Sequence, residues 1–295
     1  MRQNNEIKNY RSRSAGNFWR VLKNNKMAMA GAITLMIFFG AAIFADFIAP
    51  FDPLKTSNET FQTPSPKFLF GTDDLGRDVF SGVIYGARTS ILIGVSVALF
   101  SGLIGVLVGA TAGYAGGIWD DFLMRLTELF LIPPRFFLVL VIATLFGGSF
   151  LNLILILTFT YWTTTARLVR AEVLSLKERP FVEASKAMGA SGTRTLFHEI
   201  LPNALPLIIT QITLMVGGVI LLESALEFVG IGDGNQISWG YMLHNGQHFI
   251  RDAWWIIAFP SLTLAALVLS LNIVGDALTS ALNPKNRSTF IDKPV

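Results

Sequence analysis

Several sets of polar side chains in this 295-residue sequence have the types and spacing to do chemistry. Glu223 and Glu227 stand four apart, and Arg125 and Glu128 three apart, so each pair shares one helical face. Inside apolar segments such groups point to a cation or amine pathway or to a gate. Against that stands a structural ion pair for Arg125 and Glu128, and a structural or solvated role near an interface for the two glutamates. His244 and His248 have the i, i+4 spacing that suits a metal on a helix. A third ligand is not evident and Asn245-Gly246 disfavours helix between them, so no metal site is expected. Asp73, Asp74, Arg77 and Asp78 lie in a block dense in charge and glycine. These four can satisfy one another as a folded cap, or meet an external protein or solute.

Other chemistry is excluded by what the chain lacks. Cysteine is absent, which removes disulfides, thiol catalysis and cysteine metal sites. A phosphate-cradling loop needs a glycine turn ending in Gly-Lys-Ser/Thr, and no Gly-Lys pair occurs. The nearest approach, residues 188–194, lacks the lysine. No convergent His, Asp, Glu and Ser set marks a membrane enzyme, and the net charge of +3 implies no nucleic-acid partner.

The elements that must position these residues are set by apolarity. Hydrophobic residues make up 52% of the chain and charged residues 15%, against about 25% charged in soluble domains; mean hydropathy is +0.53. Residues 27–45, 89–119, 136–166, 203–222 and 253–275 contain no Asp, Glu, Lys or Arg. A membrane-crossing helix needs about 20 apolar residues, and the third run is long enough to be divided at Gly147-Gly148-Ser149. We therefore expect an all-α polytopic membrane protein with about six transmembrane helices in contact with lipid.

Charge sets the orientation. Seven bases and one acid precede the first span, which places residues 1–26 in the cytoplasm. The apolar run that follows is long and has no cleavage site, so the segment is not a leader. Residues 27–48 form the first transmembrane helix, and 49–88 lie outside, with Ser81–Arg88 beginning a helix along the membrane surface. Residues 89–282 form the core, and 283–295 a cytoplasmic tail. Span two covers about 89–112. Span three, about 122–146, is kinked at Pro133-Pro134, because each proline removes a backbone donor. Span four is about 151–165, span five 203–222 and span six 253–275. The inner loop 166–202 carries six bases and four acids. Trp119, Trp162, Trp239, Trp254 and Trp255 fall near span ends, as an interfacial belt would.

The inner loop holds the most informative stretch. Phe181, Val182, Glu183, Ala184, Ser185, Lys186, Ala187, Met188 and Gly189 are followed by Ile200, Leu201, Pro202 and Asn203. Pro180 suits a helix start and Gly189 a left-handed end, so two short helices joined at a glycine turn are expected, the second closed by Pro202. Phe181, Val182, Ala184, Ala187 and Met188 make an apolar patch. On the residues alone, a helix lying on lipid and a docking surface for another protein both remain open.

This loop resembles that of ABC importer permeases, with Glu183, Ala184, Gly189, Leu201 and Pro202 in register. Ser185 replaces a second alanine, and Glu199 stands where isoleucine is usual. Further blocks are similar to the C-type subunit of dipeptide, oligopeptide and nickel permeases. They are Phe70 to Asp78, Tyr85 to Ser90, Met124-Arg125 with Glu128 and Pro134, Phe228 to Gly232, Ser238 to Gly240, Gly275 to Leu278, and Asn283 to Lys285. Glu128 and Asn283 stand where that family more often has aspartate.

The resemblance implies a type I ABC importer permease fold and a non-catalytic subunit. It also implies a second homologous permease subunit, two ATP-binding ABC subunits that carry the ATP and Mg, and an extracytoplasmic solute-binding protein. No cofactor is expected on this chain. Phe181, Val182, Glu183, Ala184, Ala187, Met188, Gly189, Leu201 and Pro202 would couple to an ATP-binding subunit. Arg125, Glu128, Glu223 and Glu227 would belong to the path or its gate, and Asp73, Asp74, Arg77 and Asp78 would meet the binding protein. The alternative is a stand-alone channel or secondary transporter.

Overall fold

A computed structural model of the chain describes residues 22, 23 and 25–282. The expected tail 283–295 and almost all of the expected segment 1–26 lie outside these residues, as does the block Asn283 to Lys285. The described residues are helical, with no strand and one isolated bridge, between Thr72 and Asp78.

Helix α1 (Lys26–Ile43) is capped by Asn25, whose Oδ1 accepts from the amides of Met27 and Ala28. It breaks at Phe44 and resumes as the single turn α2 (Ala45–Ile48), short of Pro50. Helix α3 (Val79–Ala115) starts at Asp78, whose Oδ2 accepts from the Ser81 amide at 2.8 Å. Its 37 residues span about 56 Å at 1.5 Å each. The expected surface helix and second span are thus one element. Nothing between Arg88 and Thr89 breaks a helix, and Arg88 leaves its side to pair with Asp46 at 2.9 Å.

Span three departs further from expectation. Pro133-Pro134 breaks it into α4 (Gly117–Leu131) and α5 (Arg135–Phe146), bent by 82°. Two adjacent residues without an amide donor leave too few backbone bonds to hold one axis. Helix α6 (Phe150–Lys177) then extends twelve residues past the expected end at Thr165, so most of the first half of the inner loop is helix. Helix α7 (Pro180–Ala187) follows.

Helix α8 (Gly192–Phe228) is continuous through Pro202, which does not close it. The missing proline amide is absorbed by a π-turn at Thr195–Ile200, where the Leu201 amide reaches back to the Leu196 carbonyl. Helix α9 (Trp239–Gly246) includes the Asn245-Gly246 pair that disfavours helix, and a 3₁₀ turn (Gln247–Phe249) continues it. Helix α10 (Trp255–Leu282) ends the described chain.

Four of these helices, α1, α3, α8 and α10, are long and apolar enough to cross a membrane, and the bent pair α4–α5, taken as one broken span, makes a fifth. Helix α6 has the length for a sixth, about 42 Å for its 28 residues. Its middle is diluted by Thr158, Thr160, Thr163, Thr164 and Thr165. In the bundle α3 is central: it packs most extensively on α6, then on α8, while α10 joins α8 to α1.

The α3–α6 contact is closest at Gly105, Gly109 and Gly113, three turns of one face. A Cβ on Gly105 would stand 2.5 Å from Thr165 Cβ. The main core draws Val97, Leu153, Leu157, Val219, Ile220, Leu226 and Leu267 from these helices. Trp162, Trp239 and Trp255 belong to the buried interior rather than to an interfacial belt, while Trp119 and Trp254 are exposed. The Trp239 and Trp255 indoles donate to the Val83 and Thr72 carbonyls, each at 3.0 Å, which is how a tryptophan is accommodated inside a core.

Candidate coupling and transport sites

The inner helix α7 is built on a small core of its own. Val182 packs with Val169 and Val173 of α6, Leu196, Ile200, Ala204 and Ile208 of α8, and Ala110 of α3. Val182, expected in a docking patch, is therefore an internal anchor, and Ser185 is buried beside it. The other residues of the patch, Phe181, Ala184, Ala187 and Met188, are exposed, as is Glu183. Met188 keeps 83% of its surface open to solvent.

The helix ends as its glycine requires. Gly189 has φ of +85°, its amide donates to the Lys186 carbonyl at 2.9 Å, and the Ala190 amide donates to Ser185 at 3.1 Å. Nothing lies within 4 Å of where a Gly189 Cβ would be. Leu201 is half-buried and Pro202 exposed, both in α8. The result is a short helix with one face seated on α6 and the start of α8, in a core that Ala110 of α3 joins, and the other face free.

Two polar links run from this region, one to the broken span and one to the end of α3. Arg170 of α6 grips Asp120 of α4 with both ends of its fork, Nε to Oδ1 at 2.5 Å and Nη2 to Oδ2 at 2.7 Å. Lys177 donates to the Tyr114 carbonyl at 2.8 Å. Arg125 and Glu128, expected to pair, do not; both are exposed on α4. The three-residue spacing brings two side chains to one face, but the exposed positions give long side chains no reason to stay together.

At the end of α8 beside α9 the glutamates are not solvated. Glu223 is fully buried and Glu227 nearly so. Glu223 Oε2 accepts from the Ser224 and Ser90 hydroxyls at 3.1 and 3.4 Å, and Glu227 Oε2 from the Tyr241 amide at 3.0 Å. They knit α8 to α3 and α9, and neither stands on an open wall.

The charged block before α3 is a folded cap. Asp73 accepts from the Arg77 amide at 2.8 Å and from Arg77 Nε at 2.6 Å, and Asp78 caps α3. Burial works against the Arg77 charge, yet the Asp73 carboxylate and the Tyr241 hydroxyl outweigh it and hold the guanidinium pKa above its ordinary value. Of the four residues, Asp74 alone is not buried, so Asp73, Arg77 and Asp78 offer no free surface to an external protein. His244 lies against the Phe228 carbonyl at 2.9 Å, and no group of three or more His, Cys, Asp or Glu that could hold a metal occurs among the described residues.

Comparison with known proteins fits this arrangement. Residues 105–288 match the family described as the binding-protein-dependent transport system inner membrane component. Residues 15–65 match the N-terminal transmembrane domain of oligopeptide transport permease C. The chain belongs to the binding-protein-dependent permease family.

Relatives align along most of their length. A dipeptide transport system permease protein of Bacillus subtilis is 40% identical over 272 residues, covering 91% of this chain and 85% of the relative. Its Escherichia coli counterpart is 40% identical over 276 residues, covering 91% and 92%. An oligopeptide transport system permease protein of Bacillus subtilis is 37% identical over 268 residues, covering 90% and 88%. The chain is thus a multi-pass membrane permease of all-helical, type I importer architecture.

Within this permease, sequence reasoning missed the Asp120–Arg170 clamp and the glycine seam of α3. The seam had a signal, the four-residue repeat of Gly105, Gly109 and Gly113. The clamp had none, since fifty residues separate its partners.

Proposed function

We propose that this permease is the transmembrane subunit of an ATP-driven importer of di- or oligopeptides. It would form the translocation path with a second homologous permease subunit. Two ATP-binding subunits, carrying ATP and Mg, would dock on its inner face, and an extracytoplasmic binding protein would deliver the peptide. Both termini and α7 would then be cytoplasmic, in keeping with the seven bases before the first span. Substrate would cross by alternating access, with no covalent chemistry on this chain. The peptide class rests on the relatives named above for dipeptide and oligopeptide transport.

One observation supports the coupling role above the others. Helix α7 has Val182 fixed in a core shared by α3, α6 and α8, while Phe181, Ala184, Met188 and Gly189 face open space. A displacement imposed on the free face reaches α6 and α8 directly, and α3 through the core they share. Glu183 adds a charge on the same free helix, and on α8 Leu201 packs against the small core with Pro202 beside it.

The test is Gly189→Val in the assembled complex. The left-handed backbone costs a branched residue about 1–2 kcal/mol, a local term far from the spans. Insertion and abundance should stay near normal while transport and substrate-stimulated ATP hydrolysis fail. Glu183→Ala should act in the same direction but more weakly. A Gly189→Val complex made at normal levels with normal transport and ATPase would remove α7 as the transmission element.

A further inference from the structure

The middle of the broken span holds a charge that the fold does not neutralise. Arg135, the first residue of α5, lies with its guanidinium over the Tyr161 ring, 4.1 Å from the centroid. Its Nη2 donates to Thr164 Oγ1 at 2.8 Å. No carboxylate pairs with it among the described residues. Tyr161 is itself fixed, its hydroxyl donating to the Gly218 carbonyl of α8 at 2.8 Å.

Position makes this arginine unusual. Thr164 lies fourteen residues into α6, about 21 Å from its Phe150 end, so the guanidinium still falls within the depth of a hydrocarbon core about 30 Å thick. Charged side chains at such depth face a bundle interior or a water-filled cavity rather than hydrocarbon. The exposed face of α6 changes at the same level. It reads Leu151, Leu155 and Phe159 in the outer half, then Thr164 and Arg167. An apolar, lipid-compatible surface gives way to a polar one where Arg135 joins it.

We propose that Arg135, held by Tyr161 and Thr164, is a carboxylate-binding subsite on the transport path that receives the α-carboxylate of a peptide in transit. The inference rests on the peptide-permease reading above. A guanidinium offers five donors in a flat fork matched to a carboxylate, and stacking on an aromatic ring leaves the fork edge free. Thr164 takes one of those donors. The α-carboxylate is the anionic group that peptides share whatever their side chains, so a fixed cation suits a path that tolerates sequence. A glutamate or aspartate of the neighbouring permease subunit and a lipid phosphate would satisfy the same fork, and the experiment separates them.

The complete transporter, with its binding protein, is reconstituted in vesicles. Uptake of trialanine is compared with uptake of trialanine carboxamide, each above saturation of the binding protein. The wild type should carry the free acid faster. Arg135→Gln should slow the acid about tenfold, the order of one lost charge-assisted bidentate pair, leave the amide unchanged and so erase the preference. Arg135→Lys should keep a reduced preference. Thr164→Val, which leaves the charge in place, should weaken the preference without loss of assembly, measured by co-purification of the subunits.

Equal slowing of acid and amide, loss of assembly in both Arg135 variants, or an amide that no variant carries would overturn the assignment. These outcomes point respectively to a structural or lipid contact, to a subunit contact, and to discrimination by the binding protein. A wild-type complex that hydrolyses ATP but carries neither peptide overturns the peptide reading, and this inference with it.

Discussion

Two helices of this permease end in the same turn, one at each end of the molecule, and their surroundings are opposite. At the outer end of α8 the Gly230 amide donates to Glu227 at 2.8 Å and the Ile231 amide to Leu226 at 3.0 Å, with Gly230 at φ +93°. At the inner end α7 closes through the equivalent pair of bonds at Gly189. A Cβ on Gly230 would stand 3.2 Å from His244 Cε1, whereas a Cβ on Gly189 would meet nothing within 4 Å.

The outer turn is one piece of a closely packed cap, with Asp73 on Arg77, Trp255 on Thr72 and Phe70 stacked on Phe259 at 3.9 Å. The inner turn has spare surface. One local motif thus serves closure at one end and presentation at the other, and its neighbours decide which.

The largest difference should appear when both glycines are changed alike. Gly230→Val adds an overlap with His244 to the left-handed cost of about 1–2 kcal/mol, so abundance and thermal stability in detergent should fall. Gly189→Val bears the backbone cost alone and should keep near-normal abundance while losing transport. Equal losses of stability at the two sites would break the comparison.

A smaller effect is expected at the clamp that ties the inner region to the broken span. Asp120→Asn should lower transport about two- to fivefold, the scale of a partly exposed ion pair, with abundance little changed. Asp120→Arg combined with Arg170→Asp should restore part of the loss. A double exchange no better than either single change would show that the pairing itself is not what matters.

The smallest effect belongs to Asp46, on the rim of the cap beside Arg88. The Arg88 guanidinium, then the Tyr85 hydroxyl, hold its carboxyl below the ordinary value. The sign follows from linkage: the contribution is present at neutral pH and fades as pH falls through the lowered pKa. The side chain is 60% exposed, so solvent and salt screen most of it. Asp46→Asn should leave stability at neutral pH almost unchanged and slightly flatten its decline on acidification, read from unfolding temperatures against pH. A marked loss at neutral pH would place Asp46 in the rigid cap rather than at its rim.

Some features were legible because one local rule governed them. Charge-free runs announced the spans, since hydrocarbon rejects charge wherever the chain folds. Gly189 announced the end of α7, whereas for Asp73 and Arg77 the sequence left a folded cap and an external contact both open. Span ends were less legible: α3 and α6 overrun their apolar cores, because a helix continues through polar residues once neighbours support it. Pro202 was expected to stop a helix, yet a π-turn let the chain pass.

The sequence by itself determined that this chain lives in a membrane, how its apolar segments are ordered, and that a short glycine-ended helix lies between two of them. Tertiary structure alone decided which polar residues meet. Arg125 and Glu128, three apart, stay separate, while Asp120 and Arg170, fifty apart, close on one another. Glu223 and Glu227 became internal ties, and Arg135 was left over Tyr161 with most of its donors free. The reason is physical. Burial against lipid is a property of each segment alone, whereas the partner of a charge depends on which helix faces bundle packing turns toward each other, and no local spacing encodes that.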